Sequence, residues 1–387
     1  MIERLAQIRA GLGRTEALLV TNSVNVAWLC AATGLIDAED PHVMLITSRE
    51  ALLFTDSRYF DAARAQRGDR GAGTVSHFVS KCDTVPDPLS PPAADWEVAL
   101  LAAPAAQVAR LIDCLRERSL TSVELEDSIR YRRYRELNER FKEAGIAVTT
   151  GRGRTEKLRR HKDAGEIQAI AAAQAITDAA FTEMLDLMEV GMSEIEIAAE
   201  LEYRMRRLGA TGLAFPSIIA AGENGARPHA VPSQRPVAGG DLLVMDFGAE
   251  LDGYCSDMTR TVAFGDPGAE AREVYAVVLA AQEAALNAAR AGLPGADLDA
   301  AAREVITEAG YGACFGHGLS HGVGLQIHEA PHASPHSRDT LEVGDVISVE
   351  PGIYLPGRFG VRIEDLIAIT TDGIRNFTAS PKELITL

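Results

Sequence analysis

The sequence lacks long apolar runs and dense clusters of basic residues. No stretch approaches the roughly 20 consecutive apolar residues that a membrane-spanning helix needs, and the amino-terminal residues show no apolar core of a secretory signal. The formal net charge is −17 at pH 7, and no block of Lys or Arg offsets it. We therefore expect a protein that binds neither membranes nor nucleic acids.

Cysteine is also scarce, with five residues in a chain of 387. The number is odd, the spacing is wide and no C-x-x-C pair occurs, whereas disulfide frameworks and structural zinc sites use cysteines at set spacings. We expect buried free thiols and a cytoplasmic location. Apolar residues make up 47% of the chain, which is enough to build real cores at this length.

The character of the sequence changes near residue 150. Before it, strand-like runs at 17–21, 43–47 and 52–55 begin an alternation with helical patterns, which is typical of an α/β unit. Four prolines within 85–92 predict a loop, and no role is assigned to 71–94 around it. Glycines at 151 and 153 indicate a hinge. The predicted domains are 1–150, an α/β unit, and 151–387.

The second predicted domain begins with helices and continues with hairpins. Apolar residues at three- and four-residue steps predict a long helix over 166–187. Ser193 and Glu196 form the sequence pattern of a capping box at the start of a second helix. From residue 217 onward hairpins dominate, interrupted by helical patterns near 270–291 and 297–309. The fold class predicted for the whole chain is α+β.

A pair of aspartates lies on a predicted hairpin. The dipeptide Asp252-Gly253 stands between two strand-like runs, as in a two-residue type I′ turn. That turn sets Asp257 opposite Gly248, so Asp257 and Asp246 become diagonal neighbours on one face, roughly 7 to 8 Å apart at the backbone. Two such charges repel unless one takes up a proton or a metal ion binds them. A solvent-facing strand residue is the alternative reading of each aspartate.

A pair of glutamates repeats this logic. Glu350 ends an apolar strand-like run, and Glu364 lies within another, with a turn-rich loop over 355–359 between them. Their separation is even, so a loop of odd length pairs the two glutamates on one face.

The segment 328–332, HEAPH, fits the H-E-x-x-H pattern of zinc proteases. That pattern requires both histidines on one helix, but Pro331 opposes a helix there by about 3 kcal/mol. His321 is the better ligand, because the small residues beside it allow close approach of the backbone to a metal ion. We predict that His332 and His336 lie in a loop, and that His332 is dispensable.

These residues resemble the pita-bread metallopeptidases, which include methionine aminopeptidase, aminopeptidase P and prolidase. The resemblance rests on ligand order with spacings of 11, 64, 29 and 14 residues and on the flanking motifs. The matching ligand positions are Asp246, Asp257, His321, Glu350 and Glu364. The motifs include FPSIIA (215–220), RPHA (227–230), MDFG (245–248), SDMTRT (256–261), HGVG (321–324), EPG (350–352) and VRIED (361–365).

The first half resembles the creatinase-like amino-terminal domain of bacterial aminopeptidase P and prolidase, on the strings at 17–22 and 53–59. Simple methionine aminopeptidases lack such a domain. The string FTDSRY (54–59) favours aminopeptidase P over prolidase, which cleaves only dipeptides. A non-peptide hydrolase or lyase on the same fold stays open as a further alternative.

The resemblance implies a dinuclear metal centre. Four carboxylates and one imidazole carry about four negative charges, which two divalent cations neutralise. This oxygen-rich set suits Mn²⁺, the first choice, as well as Co²⁺, Zn²⁺ or Fe²⁺.

The resemblance also implies roles for side chains outside the ligand set. Glu350 doubles as the proton acceptor, while His229 and His328 donate to the substrate carbonyl and to the tetrahedral intermediate. Arg362 orients carboxylates or binds substrate, and His317 lies in the pocket. The implied substrates are peptides with proline at the second position, and the implied assembly is a homodimer.

Overall fold

The computed structural model describes residues 2–31, 42–67, 97–100, 107–151 and 153–387. The chain divides into two compact units, Met1–Leu158 and Arg159–Leu387. Cys82, the predicted loop at 85–92 and the segment 71–94 lie outside the described residues. None of the described helices combines the length and apolar character needed to cross a bilayer.

The first unit contains a six-stranded mixed sheet in the order β4-β3-β2-β1-β5-β6. β1 is parallel to β5 and antiparallel to β2, and the strands predicted at 17–21, 43–47 and 52–55 are confirmed to within one residue at each end. The strands are β1 (Glu16–Val20), β2 (Val43–Thr47), β3 (Ala51–Thr55), β4 (Glu97–Leu100), β5 (Ser122–Leu125) and β6 (Ala147–Thr150).

Helices flank this sheet because their apolar faces match its buried strands. Leu111 and Leu115 of α4 pack in one core with Leu19 of β1, Val123 of β5 and Phe141 of α5. β2 and β3 read VMLIT and ALLFT and are buried along their whole length, as apolar central strands should be. The helices are α1 (Ile2–Ala10), α2 (Ser23–Cys30), α3 (Phe60–Arg67), α4 (Gln107–Glu117) and α5 (Tyr131–Glu143). A further helix, α6 (Arg154–Arg160), begins in the first unit and ends in the second.

The second unit is built from short antiparallel strands and two pairs of helices. Its sheets have the orders β11-β10-β7, β12-β9-β8 and β14-β13-β15-β18-β19, with β16 and β17 paired separately. The strands are β7 (Gly212–Leu213), β8 (Ile218–Ala221), β9 (Leu242–Phe247), β10 (Ala249–Leu251), β11 (Tyr254–Cys255), β12 (Met258–Ala263), β13 (Ser320–Gly322), β14 (Glu329–Ala333), β15 (Val346–Val349), β16 (Gly352–Leu355), β17 (Phe359–Arg362), β18 (Asp365–Thr370) and β19 (Gly373–Asn376).

Each pair of helices covers its own set of strands. The helices are α7 (Ala164–Leu185), α8 (Glu194–Arg207), α9 (Ala269–Ala288) and α10 (Gly295–Glu308). Phe181 of α7 and Leu201 of α8 share a core with Met245 of β9 and Val262 of β12. α9 and α10 share a second core with β15, β17 and β18. The predicted helices are confirmed with small shifts at their ends, and so is the α+β fold class.

Candidate metal centre and active site

The Asp252-Gly253 turn sets the register of the first acidic hairpin. Both residues have positive φ, 50° and 87°, as a type I′ turn requires. Leu251 pairs with Tyr254, and the same register continues in β9 and β12, where Asp246 pairs with Thr259. Asp257 follows β11 and is buried. The predicted register is therefore confirmed, and it puts Asp246 and Asp257 on the same face.

The second acidic pair comes from a longer hairpin that is interrupted at the site. Gly352 pairs with Arg362, and Val349 pairs with Asp365. Between these two pairs the register continues, so Glu350 lies directly opposite Glu364. A three-residue connection between Leu355 and Phe359 makes the loop length odd, as expected. The two carboxylates therefore reach one side of the hairpin.

His321 lies in the middle of β13, beside its partner strand β14. His321 pairs with His332, so the H-E-x-x-H segment is an extended strand and not a helix. The prediction that His332 lies in a loop is wrong, although the residue is exposed. β14 is an edge strand, where Pro331 removes no essential backbone donor. His336 is exposed in the turn that follows.

The predicted ligands converge at the wall of one pocket. The Nε2 atom of His321 lies 3.5 Å from Asp257 Oδ2 and 3.3 Å from Glu350 Oε1. Ligand atoms of Asp257, His321 and Glu364 all lie within 4.8 Å of one another. Asp246 lines the same pocket. All five predicted ligands are thus brought together, while their roles in binding metal stay predictions.

The electrostatics of this cluster favour a bound cation. Burial raises the pKa of Asp257 well above its ordinary value, and the carboxylates of Glu364, Asp246 and Glu350 raise it further. Burial and the carboxylates of Glu350 and Asp246 likewise raise the pKa of Glu364. Burial also acts to raise the pKa of Glu350, but the hydrogen bond to His321 and the nearby positive charges together outweigh it and lower the pKa to about 2. Crowded acids of this kind are stabilised by positive charge.

Two buried oxygens in the cluster have room for a further partner. Asp246 Oδ1 and Glu364 Oε1 accept no hydrogen bond from the described residues, which is unusual for buried polar atoms. Their companion oxygens are held by Arg362 Nη2 at 2.5 Å and by Thr259 Oγ1 at 2.7 Å. Carboxylate oxygens with one imidazole nitrogen form a donor set that divalent first-row metals accept. The residues present therefore fit a metal centre.

Arg362 connects this cluster to His317 through a tyrosine. Its guanidinium donates to Asp246, to Thr259 Oγ1 at 2.9 Å and to the Tyr354 hydroxyl at 2.8 Å. The His317 Nδ1 atom must carry a proton, since it lies 2.8 Å from the Gly318 carbonyl oxygen. Burial lowers the pKa of His317, so Nε2 of the neutral ring accepts from Tyr354 at 2.9 Å.

The remaining predicted residues line the same pocket. His229 is exposed in a turn after a short 3-10 helix, and His328 is exposed just before β14. The ring centroids of His328 and His321 are 4.4 Å apart in an edge-to-face arrangement. The pocket has a volume of about 730 Å³. Its apolar lining includes Phe215, Pro216, Ile218, Pro228, Val231 and Ile327.

Sequence reasoning missed several supporting side chains. Thr259 and Tyr354 follow Asp257 and Glu350 by two and four residues, so strand alternation was a usable signal for both. Ser348, two residues before Glu350, donates to that carboxylate and accepts from the His321 backbone. No such signal marks Arg303 of α10, which donates to the backbone oxygen of His317.

Comparisons with known proteins agree with this arrangement. Residues 168–371 match the sequence profile of metallopeptidase family M24, and residues 1–161 match the creatinase/prolidase N-terminal domain. The uncharacterized peptidase YqhT of Bacillus subtilis is 36% identical over 386 residues, which cover 100% of this chain and 99% of YqhT.

Solved structures show the same similarity. The Xaa-Pro dipeptidase from Bacillus anthracis is 37% identical with a TM-score of 0.85, covering 100% of this chain and 99% of the other. The X-Pro aminopeptidase from Thermotoga maritima MSB8 is 34% identical with a TM-score of 0.83, covering 99% and 100%. The predicted combination of a creatinase-like amino-terminal domain and a pita-bread domain is therefore confirmed.

Proposed function

Because the chain belongs to metallopeptidase family M24, we propose that it is an Xaa-Pro aminopeptidase that removes the amino-terminal residue from peptides with proline at the second position. The observation that carries this proposal is the convergence of four carboxylates and His321 on one pocket with an apolar lining. A proline ring suits such a lining, since apolar surface is removed from water when the ring binds.

Two divalent cations, with Mn²⁺ as first choice, would be held by Asp246, Asp257, His321, Glu350 and Glu364. Such ions, when bound, would lower the pKa of a bound water and polarise a peptide carbonyl. Glu350 would accept the proton of the attacking water, since its low pKa leaves it ionised. His229 and His328 would donate to the carbonyl oxygen as negative charge develops there.

Arg362 would orient the ligand Asp246 and not bind substrate directly. Its side chain donates hydrogen bonds to four protein groups, namely Asp246, Thr259, Tyr354 and the Pro228 carbonyl oxygen. His317 would act through Tyr354 on the same guanidinium. In this proposal Arg362 and His317 hold the ligand Asp246 in place and do not contact the substrate.

One observation favours an aminopeptidase over a dipeptidase. A dipeptide substrate carries its free carboxylate on the proline, and a cation normally binds such a group. Arg362 is the one Arg or Lys that lines the pocket among the described residues of 159–387. Its guanidinium already donates hydrogen bonds to protein groups. A substrate that continues beyond proline avoids this difficulty, so prolidase is the second candidate.

Substrate length tests the proposal. We expect Mn²⁺-loaded protein to cleave Ala-Pro-Ala faster than Ala-Pro, with Ala-Ala-Ala as the control for proline dependence. Cleavage of Ala-Pro alone would favour prolidase instead. No cleavage of any of the three would point to the non-peptide alternative. The homodimer and the cytoplasmic location stay predictions of the resemblance.

A Glu350→Gln variant tests the assigned proton acceptor in the same assay. Amide replaces carboxylate at nearly equal volume, so binding of the peptide should survive. We expect kcat to fall by about 10²- to 10⁴-fold, the usual contribution of a positioned acid or base. An unchanged kcat would remove Glu350 from this role.

A further inference from the structure

A buried triad of charges lies beside the pocket, on residues that the proposed mechanism does not use. Arg159 Nη2 lies 2.6 Å from Glu329 Oε2, and Lys162 Nζ lies 2.7 Å from Glu329 Oε1. The side chains of Arg159, Lys162 and Glu329 are only 3%, 1% and 10% exposed. Buried ion pairs give little net stability because desolvation is costly. Two buried cations on one carboxylate therefore suggest a role beyond stability.

Arg159 and the backbone of Cys255 make further contacts with the short segment 324–329. Arg159 Nη2 also donates to Gln326 Oε1 at 3.2 Å. On the other side, the backbone N–H of Cys255 donates to the Gly324 carbonyl oxygen at 2.8 Å. A Cβ atom on Gly324 would lie 2.4 Å from Glu329 Oε1, so the carboxylate packs directly against this backbone. These contacts hold the segment near both of its ends, at Gly324 and at Glu329. We refer to the contacts of Arg159 and Lys162 with Glu329 as the clamp.

His328 directly precedes Glu329 in the chain. It lines the pocket, whereas its neighbour Glu329 does not. Its ring nitrogens form no hydrogen bond with any residue that the structure describes, and its ring centroid lies 4.4 Å from that of His321. Because no side-chain bond fixes the ring, the backbone at 328–329 sets where it points. A hydrogen-bond donor to a developing oxyanion works only in a narrow geometry.

We propose that Glu329, gripped by Arg159 and Lys162, is a positioning residue that aims His328 at the substrate carbonyl. The inference rests on the proposed function, in which His328 donates to that oxygen. Glu329 itself touches neither substrate nor the ligand set. Its contribution is to hold the segment from the side opposite the pocket.

Lys162→Met tests the clamp, because it removes one cation and leaves Glu329 paired with Arg159. We expect kcat for Ala-Pro-Ala to fall by about 100-fold, the loss that a displacement near 1 Å produces. KM should change by less than about 3-fold and metal content should not change, since the interaction acts in the transition state. Lys162→Arg retains the charge and should recover most of kcat.

Arg160→Met is the matched control. Arg160 is the last residue of α6, next to Arg159, and binds buried Asp345 at 2.8 and 2.7 Å, but it forms no hydrogen bond or ion pair with segment 324–329. Its loss should lower thermal stability while kcat per folded molecule stays within about 2-fold of wild type. Equal loss of kcat in Arg160→Met and Lys162→Met would overturn the proposal, as would an unchanged kcat in Lys162→Met.

Hydrogen exchange followed by mass spectrometry gives a readout that needs no activity. In metal-free Lys162→Met, exchange over 324–329 should be at least about 10-fold faster than in wild type, and in Arg160→Met it should be unchanged. Unchanged exchange in Lys162→Met would overturn the clamp. If wild type cleaves no Xaa-Pro peptide, the proposed function fails, and the exchange comparison still decides the clamp. If Lys162→Met does not fold, Lys162→Gln, which also removes the positive charge but keeps a polar side chain beside Glu329, replaces it with the same readouts.

Discussion

At the scale of single residues, His321 and His332 offer a direct comparison because they pair across β13 and β14. His321 faces Asp257 and Glu350, whereas the exposed His332 ring forms no hydrogen bond with the residues that the structure describes. We predict that His321→Ala lowers kcat/KM more than about 100-fold. This loss exceeds the usual effect of removing a residue that only supports a metal ligand. His332→Ala should stay within about 3-fold of wild type. Assays at matched metal content check both, and equal loss in the two variants would contradict the ligand assignment.

Arg260 shows how one buried residue fixes the strands behind the centre. It is 2% exposed, pairs with Asp365 at 2.9 Å, and donates to the carbonyl oxygens of Pro381 and Ser380. We predict that Arg260→Met lowers the free energy of unfolding by about 3 to 5 kcal/mol, because Asp365 would lose a principal partner in a buried site. Equilibrium urea unfolding measures this change.

The control for that variant is Arg272→Met. Arg272 also pairs with an aspartate, Asp266, at 3.1 Å, but both side chains are exposed. Exposed ion pairs are screened by solvent and contribute little to stability, so the unfolding midpoint should barely move. A loss in Arg260→Met no larger than in Arg272→Met would contradict the structural role assigned to Arg260.

At the scale of elements, the start of α8 tests how local sequence fixes a helix. Ser193 Oγ accepts from the Glu196 backbone N–H, and the Glu196 side chain accepts from the Ser193 backbone N–H, so the predicted capping box is confirmed. We predict that Ser193→Ala costs about 1 kcal/mol of stability, while Ser193→Asp, another good cap, costs less. Thermal unfolding compares the two, and equal stability of Ser193→Ala and wild type would remove the cap from the explanation.

Local turn chemistry also explains why so much of the candidate site could be predicted. Asp252-Gly253 permits one hairpin register, and that register carries Asp246 and Asp257 to one face. By contrast, β14 forms through pairing with β13 and not through its own sequence, which contains Pro331. The position of His332 was predicted wrongly for that reason, since sequence patterns do not report pairing between strands.

At the scale of the whole molecule, contacts between distant segments were the least predictable. Arg303 reaches the backbone of Phe315 and His317 from α10, and Arg159 reaches Glu329 across 170 residues of sequence. Periodicity and turn signals act over a few residues. These signals predict which helices and strands exist. Which distant side chains support a site depends on how those helices and strands pack together.

The central claim is that five side chains of the second unit form a metal centre required for peptide hydrolysis. The most direct test is the titration of chelator-stripped protein with Mn²⁺, followed by hydrolysis of Ala-Pro-Ala. We predict no measurable turnover without metal, and recovery that is complete at two equivalents, because two divalent cations balance four carboxylates. Full turnover by the metal-free protein would contradict the claim.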